Sequence, residues 1–134
     1  RRVELTDPVA AGVIRLQHSN IWFNKLLYAK EKLQYRFIAD TYSQRKYLAP
    51  CYAGRLLAIM KENGDIYPCE MFGEDMGNIR DFGYDLGRLW TSKQADSVRR
   101  DIAESRCFCT YECATTSNIL FNPRFIPELI KAAL

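Results

Sequence analysis

The chain is poor in the features that announce a class. No apolar run approaches the ~20 residues needed to cross a bilayer, which excludes a membrane-spanning helix. No internal repeat, low-complexity tract or flexible linker divides it, so one domain is the economical reading. Histidine is nearly missing: His18 stands alone, with no H-x-E or H-x-x-E-H pattern around it, and is not read as a ligand or a catalyst. An excess of one charge is lacking too. The net +3 comes from Lys and Arg mixed with nearly as many acids, and nothing in that balance asks for nucleic acid. Initiator Met, signal-peptide pattern and tag are all missing from the opening Arg1-Arg2-Val3, which reads as an excised segment or processed product with something upstream missing.

What is present is enough for a fold. At 134 residues, folding can remove roughly two-thirds of the exposed surface from water. A composition 48% hydrophobic and 26% charged belongs to an ordered globular chain and excludes a disordered or collagen-like one. The five cysteines are an odd number, leaving one over in any disulfide framework, and Cys107, Cys109 and Cys113 crowd into seven positions. That pattern points to metal ligation in a reducing compartment, the cytoplasm.

Local signals give a coarse map. Asp7-Pro8 is a helix start, with a first helix through about Gln17. From Ser19 onward, Trp22, Leu26, Ala29, Leu33 and Phe37 trace one face of a second helix, with Lys25, Lys30, Lys32 and Arg36 mostly on its solvated side. Pro50 interrupts this region. Arg55–Glu62 then reads as a strand ending at Asn63-Gly64, a dipeptide of tight hairpin turns, and Asp65–Met71 as the return strand. Pro68 removes a ladder donor, so that strand lies at an edge or stops near Cys69. Residues 72–82 read as loop, 84–90 as a short helical turn, and Thr91 or Ser92 as the cap of a helix through about Glu104. In that helix Ala95, Val98 and Ile102 form the apolar stripe and Arg99, Arg100 and Glu104 lie off it. Asn122-Pro123 is a stop, and a last helix covers about Pro127–Ala133. The expected fold class is α+β: a small two-stranded antiparallel hairpin with flanking helices, behind an N-terminal helical section (1–50) that precedes a cysteine-bearing domain (51–134).

The cysteines carry the chemistry. Cys51 and Cys69 fall at the open ends of the hairpin, where strands ~4.8 Å apart can present both sulfurs to one centre. Cys107, Cys109 and Cys113 supply more thiolates than a four-ligand centre then needs, so one is spare. Their C-x-C-x3-C run differs from the C-x2-C knuckle of structural zinc sites and from the ferredoxin run. Unpartnered buried thiols account for one or two such cysteines, not for three within seven residues.

The run Cys51-Tyr52-Ala53-Gly54, then Leu57-Ala58-Ile59, then Asn63-Gly64-Asp65-Ile66-Tyr67-Pro68-Cys69 resembles the C-x9-15-G-x4-C signature that opens the SPASM and twitch domains of radical SAM enzymes; here it stands as C-x12-G-x4-C. Met76-Gly77-Asn78-Ile79-Arg80 is similar to that family's Gly-Asn-Ile segment, and Leu89-Trp90-Thr91-Ser92 to its Leu/Ile-Trp-x-Ser element. Cys109 and Cys113, with three residues between them, resemble its late cysteine pair. The likeness spans about half the chain. A full SPASM domain has seven cysteines and two auxiliary clusters; five here support one cluster, closer to the twitch type. The C-x3-C-x2-C triad that binds the cluster cleaving S-adenosylmethionine is absent, since Thr116 stands where its third thiol would fall.

The resemblance implies one [4Fe-4S] cluster held by Cys51, Cys69, Cys109 and Cys113, with Cys107 as the alternate to Cys109, and no catalytic residue in the segment itself. Zinc can occupy such thiolates in an aerobically prepared fragment. It further implies an upstream radical SAM domain of the same polypeptide that binds S-adenosylmethionine, a peptide, protein or small-molecule substrate, and a role in closing the substrate cavity and moving an electron. Nucleic acid and membrane are not expected partners. A zinc-stabilised interaction module and a small independent electron carrier are the alternatives.

Overall fold

The structure is a computed structural model that describes residues 21–133. The proposed Asp7 helix and His18 lie outside the described residues, as does the side chain of Trp22. The fold is α+β. In chain order it comprises α1 (Ile21–Gln44), β1 (Ile59–Met60), β2 (Asp65–Tyr67), β3 (Gly77–Asn78), a 3-10 turn (Ile79–Phe82), α2 (Leu86–Trp90), α3 (Lys93–Glu104), α4 (Glu112–Leu120) and α5 (Ile126–Ala133). Among the described residues no helix is long and apolar enough to cross a membrane.

The strands form one antiparallel sheet in the order β1-β2-β3, with Ile59 opposite Tyr67 and Ile66 opposite Gly77. The hairpin is where the sequence places it, but its strands are shorter and a third strand joins. Two local causes shorten them. Residues 53–57 are taken up by a turn in which Gly54 N–H donates to the Leu57 carbonyl at 2.9 Å, and Pro68 ends β2. The connection is a three-residue loop: Lys61 N–H donates to the Asp65 carbonyl and Gly64 N–H to the Lys61 carbonyl, both at 2.9 Å. Within that loop only Gly64 has positive φ, at +91°, the pattern of a turn closed by a glycine bulge. β3 hides in what reads as loop because it is two residues long and starts with a glycine at φ +123°.

A hairpin this small is marginal alone. Its stability comes from the core laid against it, where Met76 and Leu89 are fully buried with Ile66, Ile79, Val98 and Ile102. Each such side chain contributes about 1.5–3 kcal/mol on burial. α3 presents Ala95, Val98 and Ile102 to this core as the stripe predicts, and Ser92 caps it, its hydroxyl accepting from Ala95 N–H at 3.1 Å. Arg99, off that stripe, is buried all the same. It is only 9% exposed, and its guanidinium donates to the Gly54 carbonyl at 2.6 Å, the Trp90 carbonyl at 2.8 Å and Asp96 at 2.8 Å. Such a fork has donors enough to be buried among carbonyls.

A second core joins α1 to α4 and α5. Ala29, Leu33 and Phe37 of the predicted stripe pack with Ala49, Ile119 and Leu129. Gln34, on the same face, is buried: its amide donates to the Glu112 carbonyl at 2.8 Å and the Thr115 hydroxyl at 3.1 Å, and accepts from Thr116 at 3.0 Å. It thereby fixes the start of α4.

Two substitutions test this framework. Gly64→Ala places a side chain at φ +91° with its Cβ 2.9 Å from the Asn78 amide oxygen, and is expected to cost about 1–3 kcal/mol in urea unfolding. Arg99→Leu leaves the Gly54 and Trp90 carbonyls without their buried donor and is expected to cost about 2–4 kcal/mol by the same measurement.

Candidate metal centre

Three separate segments deliver the cysteines. After α1 the chain passes a bend at Ala49 and Pro50 and enters the sheet region at Cys51. Tyr52 N–H donates to the Asn118 side-chain oxygen at 2.8 Å, so α4 fixes the backbone beside the first thiol. Gly54 N–H reaches the Pro68 carbonyl at 3.3 Å and brings Cys51 into the neighbourhood of Cys69. That glycine is required: φ is +71°, and a Cβ there would lie 3.1 Å from the Pro68 Cβ. Cys69 is buried in the sheet core, against which Cys51 and Cys107 pack.

The third segment turns out of α3. Arg106 adopts left-handed φ of 51°, Cys107 N–H returns to the Ile102 carbonyl at 3.1 Å and Arg106 N–H to the Ala103 carbonyl at 3.2 Å. This is a Schellman closure. It reverses the chain so that the Cys107 thiol donates to Cys51. Cys109 follows, half-buried, and Cys113 sits exposed in the first turn of α4. Cys109 and Cys113 line a surface groove of about 320 Å3 with Met71 and Tyr111. The Tyr111 hydroxyl donates to the Glu70 carboxylate, tying the late cysteine loop to the residue after Cys69.

The electrostatics show which thiols feel one another. Cys51 is drawn down from 9.0 to about 6, chiefly by the hydrogen bond from Cys107, against the opposing effect of burial; the Ala53 N–H and the Asn118 side chain add to the stabilisation. Cys107 is pushed up because its proton is held between the two sulfurs, with burial and the charges of Cys51, Cys109 and Cys69 acting the same way. Cys109 is pushed up to about 11 by burial and then by Cys51 and Cys69. Cys51, Cys69, Cys107 and Cys109 thus stand within electrostatic reach of one another. Cys113 shares only the surface groove with Cys109.

This donor set is all sulfur, the chemistry of zinc or iron-sulfur centres. Among the described residues no three His, Cys, Asp or Glu side chains stand close enough to grip a single ion as placed. A tetrahedral ion with metal–sulfur bonds of ~2.3 Å needs sulfurs roughly 3.8 Å apart, whereas a cubane core accepts thiolates set more widely around it. Here one hydrogen-bonded pair stands at the closer spacing and two further thiols act on it at longer range. Asn118, which holds both the Tyr52 backbone and the Cys51 sulfur, has no sequence signature. Comparison with protein-family models, with curated proteins and with solved structures finds no match.

In the metal-free chain, Cys51 is expected to alkylate with a midpoint near pH 6, and Cys107→Ala to move that midpoint back toward 9.0. The linkage has a definite sign. Between pH 6 and 9 the folded state has lost the Cys51 proton that the unfolded state keeps, so stability rises with pH. Above 9 the raised groups Cys107 and Cys109 keep protons that the unfolded state loses, so stability falls. Denaturation midpoints measured across pH 5–11 check this.

Proposed function

We propose that the chain is the auxiliary-cluster domain of a radical SAM enzyme, holding one [4Fe-4S] cluster through Cys51, Cys69, Cys109 and Cys107. It works in the cytoplasm beside an upstream domain of the same polypeptide that binds S-adenosylmethionine. The observation that carries the reading is the mutual approach of four thiols from segments ending at positions 51, 69 and 107–109. Cys107 takes the fourth place ahead of Cys113 because it touches Cys51, while Cys113 is exposed at the groove.

The residues behind the family resemblance also shape this site, which supports the same reading. The Asn78 amide donates to the Asn63 carbonyl at 3.0 Å and the Asp65 carboxylate at 2.8 Å, bracing the turn that sets Cys69. Trp90 gives its carbonyl to Arg99 and its ring to the face of that guanidinium, 4.8 Å from the centroid. When bound, the cluster would supply one-electron transfer. The Ala53 N–H and the Asn118 side chain donate to the Cys51 sulfur, and hydrogen bonds to ligand sulfur stabilise charge there and adjust the reduction potential. Four protein thiolates leave no iron open, which favours an electron-relay role over direct coordination of a peptide, protein or small-molecule substrate.

Anaerobic reconstitution of the chain is expected to give broad brown absorbance with iron and sulfide in equal amounts. Ala replacements at Cys51, Cys69, Cys107 and Cys109 should each abolish it, and Cys113→Ala should retain it. Tight colourless zinc under those conditions, or equal metal in all five variants, would overturn the reading.

A further inference from the structure

Two of the thiols already touch. Cys51 and Cys107 are hydrogen-bonded sulfur to sulfur, and both pack against the sheet core that buries Cys69. The backbone is held on each side of that contact. Tyr52 N–H donates to the Asn118 side chain at 2.8 Å beside Cys51, and Cys107 N–H returns to the Ile102 carbonyl at 3.1 Å behind the left-handed Arg106. Both cysteines of the pair are half-buried, whereas Cys69 is buried and Cys113 is exposed.

From this contact we infer a redox gate: a peroxide closes Cys51 and Cys107 of the metal-free chain into a disulfide, and that bond shuts the thiol centre to metal. One sulfur of the pair, as thiolate, attacks a peroxide oxygen; the O–O bond breaks, the sulfur becomes a sulfenic acid, and the departing hydroxide takes a proton to leave as water. The other sulfur displaces the sulfenic hydroxyl, so that the S–S bond forms and a second water departs. Two thiols thus lose two electrons, and one hydrogen peroxide is reduced to two waters. A disulfide spans ~2.05 Å, and sulfurs already in hydrogen-bond contact have a short distance left to close. The disulfide rests on the contact alone. The gate rests also on the ligand assignment proposed above, in which Cys51 and Cys107 are two of four thiolates: a metal needs both deprotonated and free, so metallation and the bond exclude each other.

The test treats the full chain, freed of metal by a chelator, with equimolar hydrogen peroxide, both folded and unfolded in concentrated urea. Crosslinks are mapped by mass spectrometry of unreduced proteolytic peptides. In the unfolded chain, loop closure favours near neighbours, and Cys109–Cys113 is expected to exceed Cys51–Cys107 by roughly tenfold or more. Folding is expected to reverse this, with Cys51–Cys107 exceeding every other pair by roughly tenfold or more because its sulfurs are held together. Cys107→Ser should abolish the crosslink at Cys51 and Cys113→Ser should leave it. Crosslinks mainly among Cys107, Cys109 and Cys113 in the folded chain, or the same pattern folded and unfolded, overturn the disulfide. Cadmium ion, which does not reduce disulfides, then reads the gate through sulfur-to-metal charge-transfer absorbance. Its affinity is expected to fall at least about tenfold on oxidation and to recover after dithiothreitol and desalting. Equal cadmium binding by reduced chain and by chain with the crosslink confirmed, or none by either, overturns the gate. Iron and sulfide uptake by the reduced chain is measured separately, so failure of the cluster reading is distinguishable from failure of the disulfide.

Discussion

The thiol centre depends on a closure made at one glycine and held by one guanidinium. Gly54 gives its N–H to the Leu57 and Pro68 carbonyls and its own carbonyl to Arg99. Cys51 lies three residues before that closure and Cys69 one residue after Pro68, so two thiols far apart in sequence are fixed by backbone bonds made between them. Arg99 extends the hold to α3, from whose end Cys107 emerges. A buried cation is costly unless its donors are used, and here three groups of the fork meet two carbonyls and a carboxylate. The expense is matched by what it organises: hairpin, α2 and α3 share one anchor.

Gathered thiols oppose one another unless something positive joins them. Without a metal, the answer is a shared proton. Cys51 takes the charge, Cys107 keeps the hydrogen, and Cys109 is held protonated by burial and by that neighbouring charge. Metal binding reverses the sign of these interactions, since a ligand thiol must be deprotonated and its charge is then attracted rather than repelled. Cys51 is the thiol that is already ionised near neutral pH, and Asn118 and the Ala53 N–H set this up from α4 and from the turn.

Much of the frame is legible in the sequence because its determinants are local. The α1 stripe at Ala29, Leu33 and Phe37, the Ser92 cap and the turn at Gly64 all follow from spacing, side-chain hydrogen bonding or allowed φ. α4 is not legible: Cys113, Thr115 and Thr116 are poor helix formers, and the helix stands because Gln34 from a distant segment holds its first turn. The burial of Arg99 is not legible either, because periodicity knows nothing of the carbonyls it will meet. Within the site, the involvement of Cys51 and Cys69 is readable from the hairpin. The pairing of Cys51 with Cys107 is not, for it turns on a left-handed Arg106 at the end of α3, where a sequence reader looks for glycine.

A surface groove and the thiol centre share a wall. Ile66, Ile79 and Trp90 line the groove beside β1, and the same residues belong to the core that packs Cys69, Cys51 and Cys107. Trp90 is also joined to Arg99 through its carbonyl and ring, and Arg99 to the Gly54 closure. Packed interiors respond to strain by discrete rearrangement rather than smooth yielding. The short sheet is thus well enough buried behind to hold sulfur in place.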